Sequence, residues 1–380
     1  MALIERSGGV NGFVHYVLHK KAFVKSERSA LMLSYVIGVV VFVETSITAL
    51  VSGAVGRPLC DKYKIPHAKL ALVCDSTSAP IGSLILFNGY GALLLGLIAT
   101  QISLGNLHGT PIEILIHSIG FNLYAVLALI VTFIFIYFKW EIGPMRYVSF
   151  QPLRKEQQVH KSASMGYMLL PIVLMLILVF VFLYISGNGE ILKGSGSSAI
   201  FYTIATTLLF TLIYYVSTKN MSLKEWFSGA YEGGKTFVPI SFLLVFAFAL
   251  GDITSKLETG TYLASLVSDT IPVVLLASLI FFLSAIISFA TGTSWGTFSI
   301  MMPIAIPMAV AMDANIFIVI GAVMSGGIFG DHCSPISDTT IISSMASQCD
   351  VVEHVKTQLP YALVSASIAF VLFALFSLLS

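Results

Sequence analysis

Long apolar runs dominate this chain and leave few folds open to it. They cover Leu31–Val43, Val126–Phe138, Leu169–Ile185, Ala199–Val216, Phe237–Leu250, Pro272–Phe289, Ile316–Ile328 and Tyr361–Leu379. Several approach the roughly 20 residues that carry a helix across a hydrocarbon core. In that medium every backbone N–H and C=O needs an internal partner, so only helices and closed barrels span it. A barrel would show strands of alternating polarity, and these runs do not alternate. Composition agrees: 57% of residues are hydrophobic and 10% are charged, where a soluble domain carries about 25%. The expected fold is an all-α polytopic membrane protein. A net charge of +1 gives no basic footprint for a nucleic-acid partner. Met1 to Lys21 lacks an apolar core followed by a small-residue cleavage site, so no cleavable signal peptide is expected. Cys60, Cys74, Cys333 and Cys349 form no CxxC pair and read as buried small residues.

Charge orients the loops. Lys and Arg cluster in His19–Arg28, Arg57–Lys69, Lys139–Lys161 and Lys219–Lys235, which the positive-inside rule makes cytoplasmic. The Gly187–Ser198 loop and the acidic stretch around Asp313 read as external. Both flanks of Ala30–Gly56 are basic, so that segment returns to the side it left. This predicts a re-entrant hairpin with its tip at Glu44-Thr45-Ser46. Ala68–Leu97 then crosses outward, with a helix break expected at Asp75–Pro80. A second hairpin, Pro272–Met312 with its tip at Thr291–Ser294, enters from the opposite side. Ala314–Ser343 follows it, broken at Asp331–Asp338. The two units form an inverted-topology repeat with re-entrant helical hairpins and broken transmembrane helices. The expected division is 1–140 for the first repeat, 141–164 for a cytoplasmic linker and 165–380 for the second repeat.

The repeat is visible in residues. FVETS (Phe42 to Ser46) and CDSTSAPIGS (Cys74 to Ser83) are echoed by FATGTSWGT (Phe289 to Thr297) and GDHCSPISDTT (Gly330 to Thr340). Phe42 and Phe289 are 247 apart, and the same shift places Ala2-Leu3 on Ala249-Leu250. On that register the first repeat is expected to lack about three lead-in helices, roughly 60 to 90 residues.

Polar groups in hydrocarbon are costly unless paired, and an intramembrane carboxylate is by default functional. Asp331 and Asp338 are seven apart, on one face of an unbroken helix, with hydroxyls from Ser334, Ser337, Thr339 and Thr340 and a breaker at Pro335. Asp75, with Ser76, Thr77, Ser78 and Pro80, reads as a sparser parallel. A small hard cation takes such oxygens, and broken helices free carbonyls at the midplane. A lone intramembrane Ser or Thr more often bonds back to its own helix. His332 is of a type that changes charge near neutral pH, or else a hydrogen-bonded core histidine. A zinc reading of Asp331, His332, Cys333 and His354 is set aside, since adjacent residues do not easily converge on one ion and no HExxH motif is present. His117, Asn122 and Asn88 read as bonds across helices.

The strings RPLCDKYKI (Arg57–Ile65), CDSTSAPI (Cys74–Ile81), GTSWGT (Gly292–Thr297) and GDHCSPISDTT (Gly330–Thr340) resemble the NhaC-type sodium/proton antiporter family, within the wider ion-transporter superfamily. The resemblance covers nearly the whole chain. It implies a secondary antiporter of the bacterial inner membrane and not an enzyme, with competition between Na+ and H+ for buried carboxylates. It implies no cofactor; its partners are lipid and the transported Na+ and H+, with a homodimer as the candidate assembly. The implied cation and proton site is Asp331, Ser334, Asp338 and Thr339, facing Thr293, Ser294 and Thr297. Glu44, Thr45, Thr48, Asp75 and Ser78 join it from the first repeat. Family members often carry two Asp at the first hairpin tip, where this chain has Glu44-Thr45, one carboxylate fewer. A relative exchanges sodium-malate for proton-lactate, which makes a sodium-coupled organic acid exchanger the alternative. A non-transporting remnant is the third reading.

Overall fold

The computed structural model describes residues 2–19, 24–42, 44–150, 163–190, 194–235, 238–268 and 272–380. Val43, next to the first tip, and half of the expected linker, 151–162, lie outside them. The first helices are α1 (Ala2–Arg6), α2 (Gly9–His19), α3 (Glu27–Val40), α4 (Thr45–Tyr63), α5 (His67–Leu84) and α6 (Gly89–Ser103). Next come α7 (Pro111–Ile119), α8 (Leu123–Phe138), α9 (Gly166–Ser186), α10 (Gly196–Ser217), α11 (Leu223–Lys235) and α12 (Val238–Lys256). The last are α13 (Thr259–Ser268), α14 (Leu276–Thr291), α15 (Ser294–Ala311), α16 (Ile316–Cys333), α17 (Asp338–Ser347) and α18 (Val351–Leu379). No strand occurs among the described residues, and eight helical stretches among them are long and apolar enough to cross a membrane. The chain is an all-helical, multi-pass membrane protein.

The helices group into two compact units, one of residues 1–25 with 152–242 and one of 26–151 with 243–380. In the smaller unit, Leu3, Tyr215, Met221 and Trp226 form a core. The Tyr215 hydroxyl donates to the Tyr167 carbonyl at 2.6 Å, joining α10 to α9. Residues 223–235, read from sequence as loop, form α11. Trp226 turns inward from it and donates to Thr211 at 3.3 Å, while Lys224, Glu225, Glu232 and Lys235 stay outside. Arg6 reaches Ser228 and Glu232 on α11.

The larger unit is built around α16, whose apolar window is 83% buried, against 22% for α9. Gly330 sets how closely α14 approaches it: a Cβ there would lie 2.2 Å from the Ala285 carbonyl oxygen. Hairpin α3–α4 precedes the broken pair α5–α6, and hairpin α14–α15 precedes the broken pair α16–α17. The 14 residues of α3 extend only about 21 Å, too short to span the core.

The repeat holds, but its register differs from the sequence match. Helix α4 begins at Thr45 and α15 at Ser294, α5 at His67 and α16 at Ile316, α6 at Gly89 and α17 at Asp338, each pair 249 residues apart. Their caps follow the same spacing: Glu44 and Thr293, Asn88 and Ser337. The Phe42–Phe289 match belongs to a shift of 247, and it falls where α14 runs longer than α3 and its tip is shorter.

The register moves the first break. It was expected at Asp75–Pro80, yet α5 runs unbroken through both and ends at Leu84; the interruption is Ile85–Asn88. Pro80 removes one ladder bond, which a membrane helix tolerates when its neighbours cover the gap. Every residue from His67 to Ser83 is buried. What ends the helical run is Asn88, whose side chain caps α6 at the Gly91 N–H. Asp75 therefore lies more than two turns inside a helix, whereas Asp331 lies in the last turn of one.

Near the start of α5, Lys69 pairs with Glu27 at 2.8 Å and Glu141 at 2.5 Å, and Lys139 pairs with Glu27 at 2.8 Å. The cluster ties the first hairpin to α5 and the end of α8. Burial raises the Glu27 pKa, but the two lysines outweigh it and hold the carboxyl below its ordinary value. A depressed pKa contributes stability above the unfolded value and loses it as pH falls through the folded one. Lys69→Ala should lower stability by about 2 kcal/mol at neutral pH, read as a lower melting temperature in detergent. The deficit should shrink below the ordinary carboxylate range.

Candidate cation site

The second break builds the better equipped site. Asp331 lies in the last turn of α16 and is 1% exposed. Ser294, the first residue of α15, donates to its Oδ2 at 3.1 Å. Tyr90, at the start of α6, lies 2.9 Å from Ser294 and donates to that hydroxyl. Asp331 Oδ1 and Ser334 Oγ are buried and have no hydrogen-bond partner. Buried polar atoms are nearly always paired. Here two lone oxygens stand three residues apart at a helix C-terminus, where free carbonyls concentrate partial negative charge. The donor set is carboxylate and hydroxyl oxygen, the kind a small hard cation takes.

The second hairpin reaches this place through its tip. Gly292 turns the chain at φ +66°, and Thr293 caps α15 through the Gly296 N–H at 3.3 Å. The Thr297 hydroxyl bonds back to the Thr293 carbonyl at 2.9 Å. Of the three expected tip residues, only Ser294 touches Asp331. Asp338 is exposed and accepts the Thr339 N–H at 2.8 Å. Thr339 pairs with Ser337 at 3.0 Å. Asp338 and Thr339 are the first two residues of α17.

The first hairpin uses its polar groups on itself. Glu44 caps α4, accepting the Ser46 and Ile47 N–H groups at 3.0 and 2.8 Å. The Thr45 hydroxyl lies 3.5 Å from the Glu44 carboxylate. Thr48 donates to the Glu44 carbonyl at 2.8 Å and lies on that of Val41. This tip meets the first break instead: Asn88 donates to the Gly82 carbonyl at 2.7 Å and to that of Phe42 at 3.5 Å. The first break meets the second hairpin through aromatic rings, with Tyr90 on Trp295 at 5.1 Å.

Asp75, fully buried, stands in a different environment. Its Oδ2 is met by Gln358 Nε2 at 2.6 Å, His354 Nε2 at 3.3 Å and the Thr340 hydroxyl at 3.4 Å. Its Oδ1 accepts from Ser343 at 3.3 Å. Ser78 only bonds back to the Asp75 carbonyl, at 3.1 Å. That carbonyl also accepts from His332 Nε2 at 3.0 Å, and His332 Nδ1 meets the Tyr124 hydroxyl at 3.0 Å. Gln358 Nε2 makes a second bond, to the His332 carbonyl at 2.8 Å. The amide, the imidazole and the two hydroxyls present hydrogens to the Asp75 carboxylate on both oxygens, whereas Asp331 accepts from Ser294 on Oδ2 and keeps Oδ1 unpartnered.

Sequence reasoning missed Gln358 and Tyr90, and it met His354 only as a zinc candidate. One signal was available. His354 and Gln358 are four apart on α18, and Thr340 and Ser343 three apart on α17, so each pair shares a helix face. For Tyr90 no signal existed, because its role depends on where the first break falls. Asn122 bonds across helices to Ser83 at 2.8 Å and Ser325 at 3.1 Å, as expected.

Residues 87–378 match the model of the Na+/H+ antiporter family. An uncharacterized protein of Haemophilus influenzae is 32% identical over 384 residues, covering 95% of this chain and 73% of that protein. The malate-2H+/Na+-lactate antiporter of Bacillus subtilis is 39% identical over 99 residues, 26% of this chain and 21% of its own. Among solved structures, the YdaH transporter of Alcanivorax borkumensis superposes with a TM-score of 0.70 at 14% identity, covering 99% of this chain and 82% of that one; it shows a shared fold. With the family model matching most of its length, the chain belongs to the Na+/H+ antiporter family.

Proposed function

We propose that this protein exchanges Na+ for protons across the bacterial cytoplasmic membrane, holding Na+ at Asp331 with Ser294 and Ser334. The observation that carries the reading is the pair of lone buried oxygens, Asp331 Oδ1 and Ser334 Oγ, at the broken end of α16. The family match supports cation antiport. Na+ and H+ compete for the buried carboxylates, and each neutralises charge that would be costly alone in a dry interior. The hairpin tip at Ser294 belongs to the site, so movement of α14–α15 would open it to one side at a time. Everted vesicles carrying the full chain and a pH-sensitive dye test this: sodium-dependent dequenching is expected, and none would sink the proposal. The similarity to a malate/lactate antiporter supports a second reading, sodium-coupled exchange of an organic acid at the same cation site. Malate-stimulated sodium uptake would favour it.

A further inference from the structure

We infer that α11 lies flat in the cytoplasmic boundary of the membrane and docks on anionic lipid. Leu223, Phe227 and Tyr231 enter the acyl region, and Lys224 and Lys235 meet the phosphates. The inference concerns the smaller unit alone and does not depend on which ion is exchanged.

An α-helix turns about 100° per residue, which sorts the 13 residues of α11 into sectors. Trp226, Gly229, Ala230 and Gly233 share the inward one. A Cβ on Gly229 would lie 3.0 Å from Leu3 Cδ2, and one on Gly233 3.0 Å from Ala2 Cβ, so α1 rests against this face. Leu223, Phe227 and Tyr231 fall within about 80° of one another and are 56%, 59% and 73% exposed. Apolar side chains scattered singly need no partner, but an aligned row marks a contact surface. Lys224 and Lys235 occupy about the next 40°. Glu225 and Glu232 lie beyond them, nearly opposite the apolar row. Both acids are engaged there: Glu225 accepts the Ser222 N–H at 2.7 Å, and Glu232 pairs with Arg6. Apolar, then basic, then acidic is the order that suits acyl chain, phosphate and water at an anionic leaflet.

The depth of α11 points to the same partner. Helix α10 spans and ends at Ser217. Trp226 bonds to Thr211, about 9 Å short of that end. The first turn of α11 therefore lies beside the last turns of α10, not beyond them in the water. Tyr214 and Tyr215, between Thr211 and that end, pack on Tyr167 at the start of α9, the kind of aromatic girdle that marks a membrane–water boundary. The length of α11, about 20 Å, is too short to cross, and its lysines place it on the cytoplasmic side. Its rotation is fixed. Ser222 caps it at the Glu225 N–H at 3.2 Å, and Asn220 just before it donates to the Ser7 carbonyl at 3.1 Å. With α1 and α10 holding the inward sector, the apolar row stays turned outward. A second copy of the chain could cover that row, but it gives no reason for two lysines along one border with the acids held away.

The test uses the full chain in nanodiscs of phosphatidylcholine mixed with phosphatidylglycerol. Cys349→Ser removes the one cysteine that is not buried, and a fluorophore is placed on Tyr231→Cys or Glu232→Cys. The quencher is a trace of phosphatidylglycerol or phosphatidylcholine carrying a nitroxide on its acyl chain. The Tyr231 label should be quenched several-fold more than the Glu232 label. Quenching at Tyr231 should favour phosphatidylglycerol by about fivefold or more, the expectation for even one lysine at an anionic surface. Lys224→Gln with Lys235→Gln should abolish that preference and leave quenching by phosphatidylcholine unchanged, while Lys224→Arg with Lys235→Arg should keep it. If the double Gln variant elutes as aggregate on size exclusion, Lys235→Gln alone carries the comparison and should at least halve the preference. Equal quenching of the two labels overturns the inference. So does equal quenching by the two lipids, or a preference that survives loss of the lysines. A Tyr231 label shielded from both lipids that self-quenches between copies assigns the face to a second copy and overturns it as well.

Discussion

Asp331→Asn is expected to reduce sodium-driven proton movement in everted vesicles at least about 100-fold, a loss of roughly 3 kcal/mol or more. The amide keeps the size of the carboxylate and an oxygen toward Ser294, so packing at the end of α16 should survive. It removes the negative charge that a cation would neutralise in a site 1% exposed, where Coulomb energies are several times those in water. Ser294→Ala is the graded companion. It removes one donor to Asp331 and one oxygen from the site, and it leaves Tyr90 without its partner. A loss of about tenfold in apparent sodium affinity is expected. Wild-type transport by folded Asp331→Asn would remove the site assignment, whatever the family.

Gly292→Ala should be the most damaging single methyl addition in the second hairpin, costing about 2–4 kcal/mol. Two independent reasons add. Gly292 has φ +66°, a conformation alanine resists. Its Cβ would also lie 2.8 Å from Ile336 Cγ1 and 2.9 Å from the Ile336 carbonyl oxygen. Ile336 belongs to the break between α16 and α17, so this is where the tip rests against it. Pushing the two apart should lengthen the Ser294–Asp331 contact, and the variant should lose transport as well as thermal stability in detergent. Gly234→Ala, on α11 with nothing within 4 Å of the added carbon, is the control and should change neither.

Much of this architecture is readable from residues, for stated reasons. Apolar runs specify helices because hydrocarbon offers the backbone no other partner. Basic flanks around a single apolar stretch specify a hairpin. Pro335 within a dense polar string marks the second break, and Asp331 beside it marks the site. The first break was misplaced because a proline inside a polar string looked like the same signal. Pro80 is instead held within α5 by neighbours that bury its whole length. The Phe42–Phe289 match likewise suggested a register that the helix starts place two residues away.

By itself the sequence determined the class, the repeat, the hairpins and one carboxylate at a helix end, because each follows from local chemistry in a solvent without water. Only the tertiary structure decided what each polar residue touches. Glu44 spends its carboxylate on its own helix cap. Asp75 is surrounded by groups from α17 and α18, more than 260 residues along the chain. Asp331 keeps one oxygen free. Whether a buried carboxylate has both oxygens met by donors or only one depends on which distant helix faces are packed against it, and no local pattern encodes that.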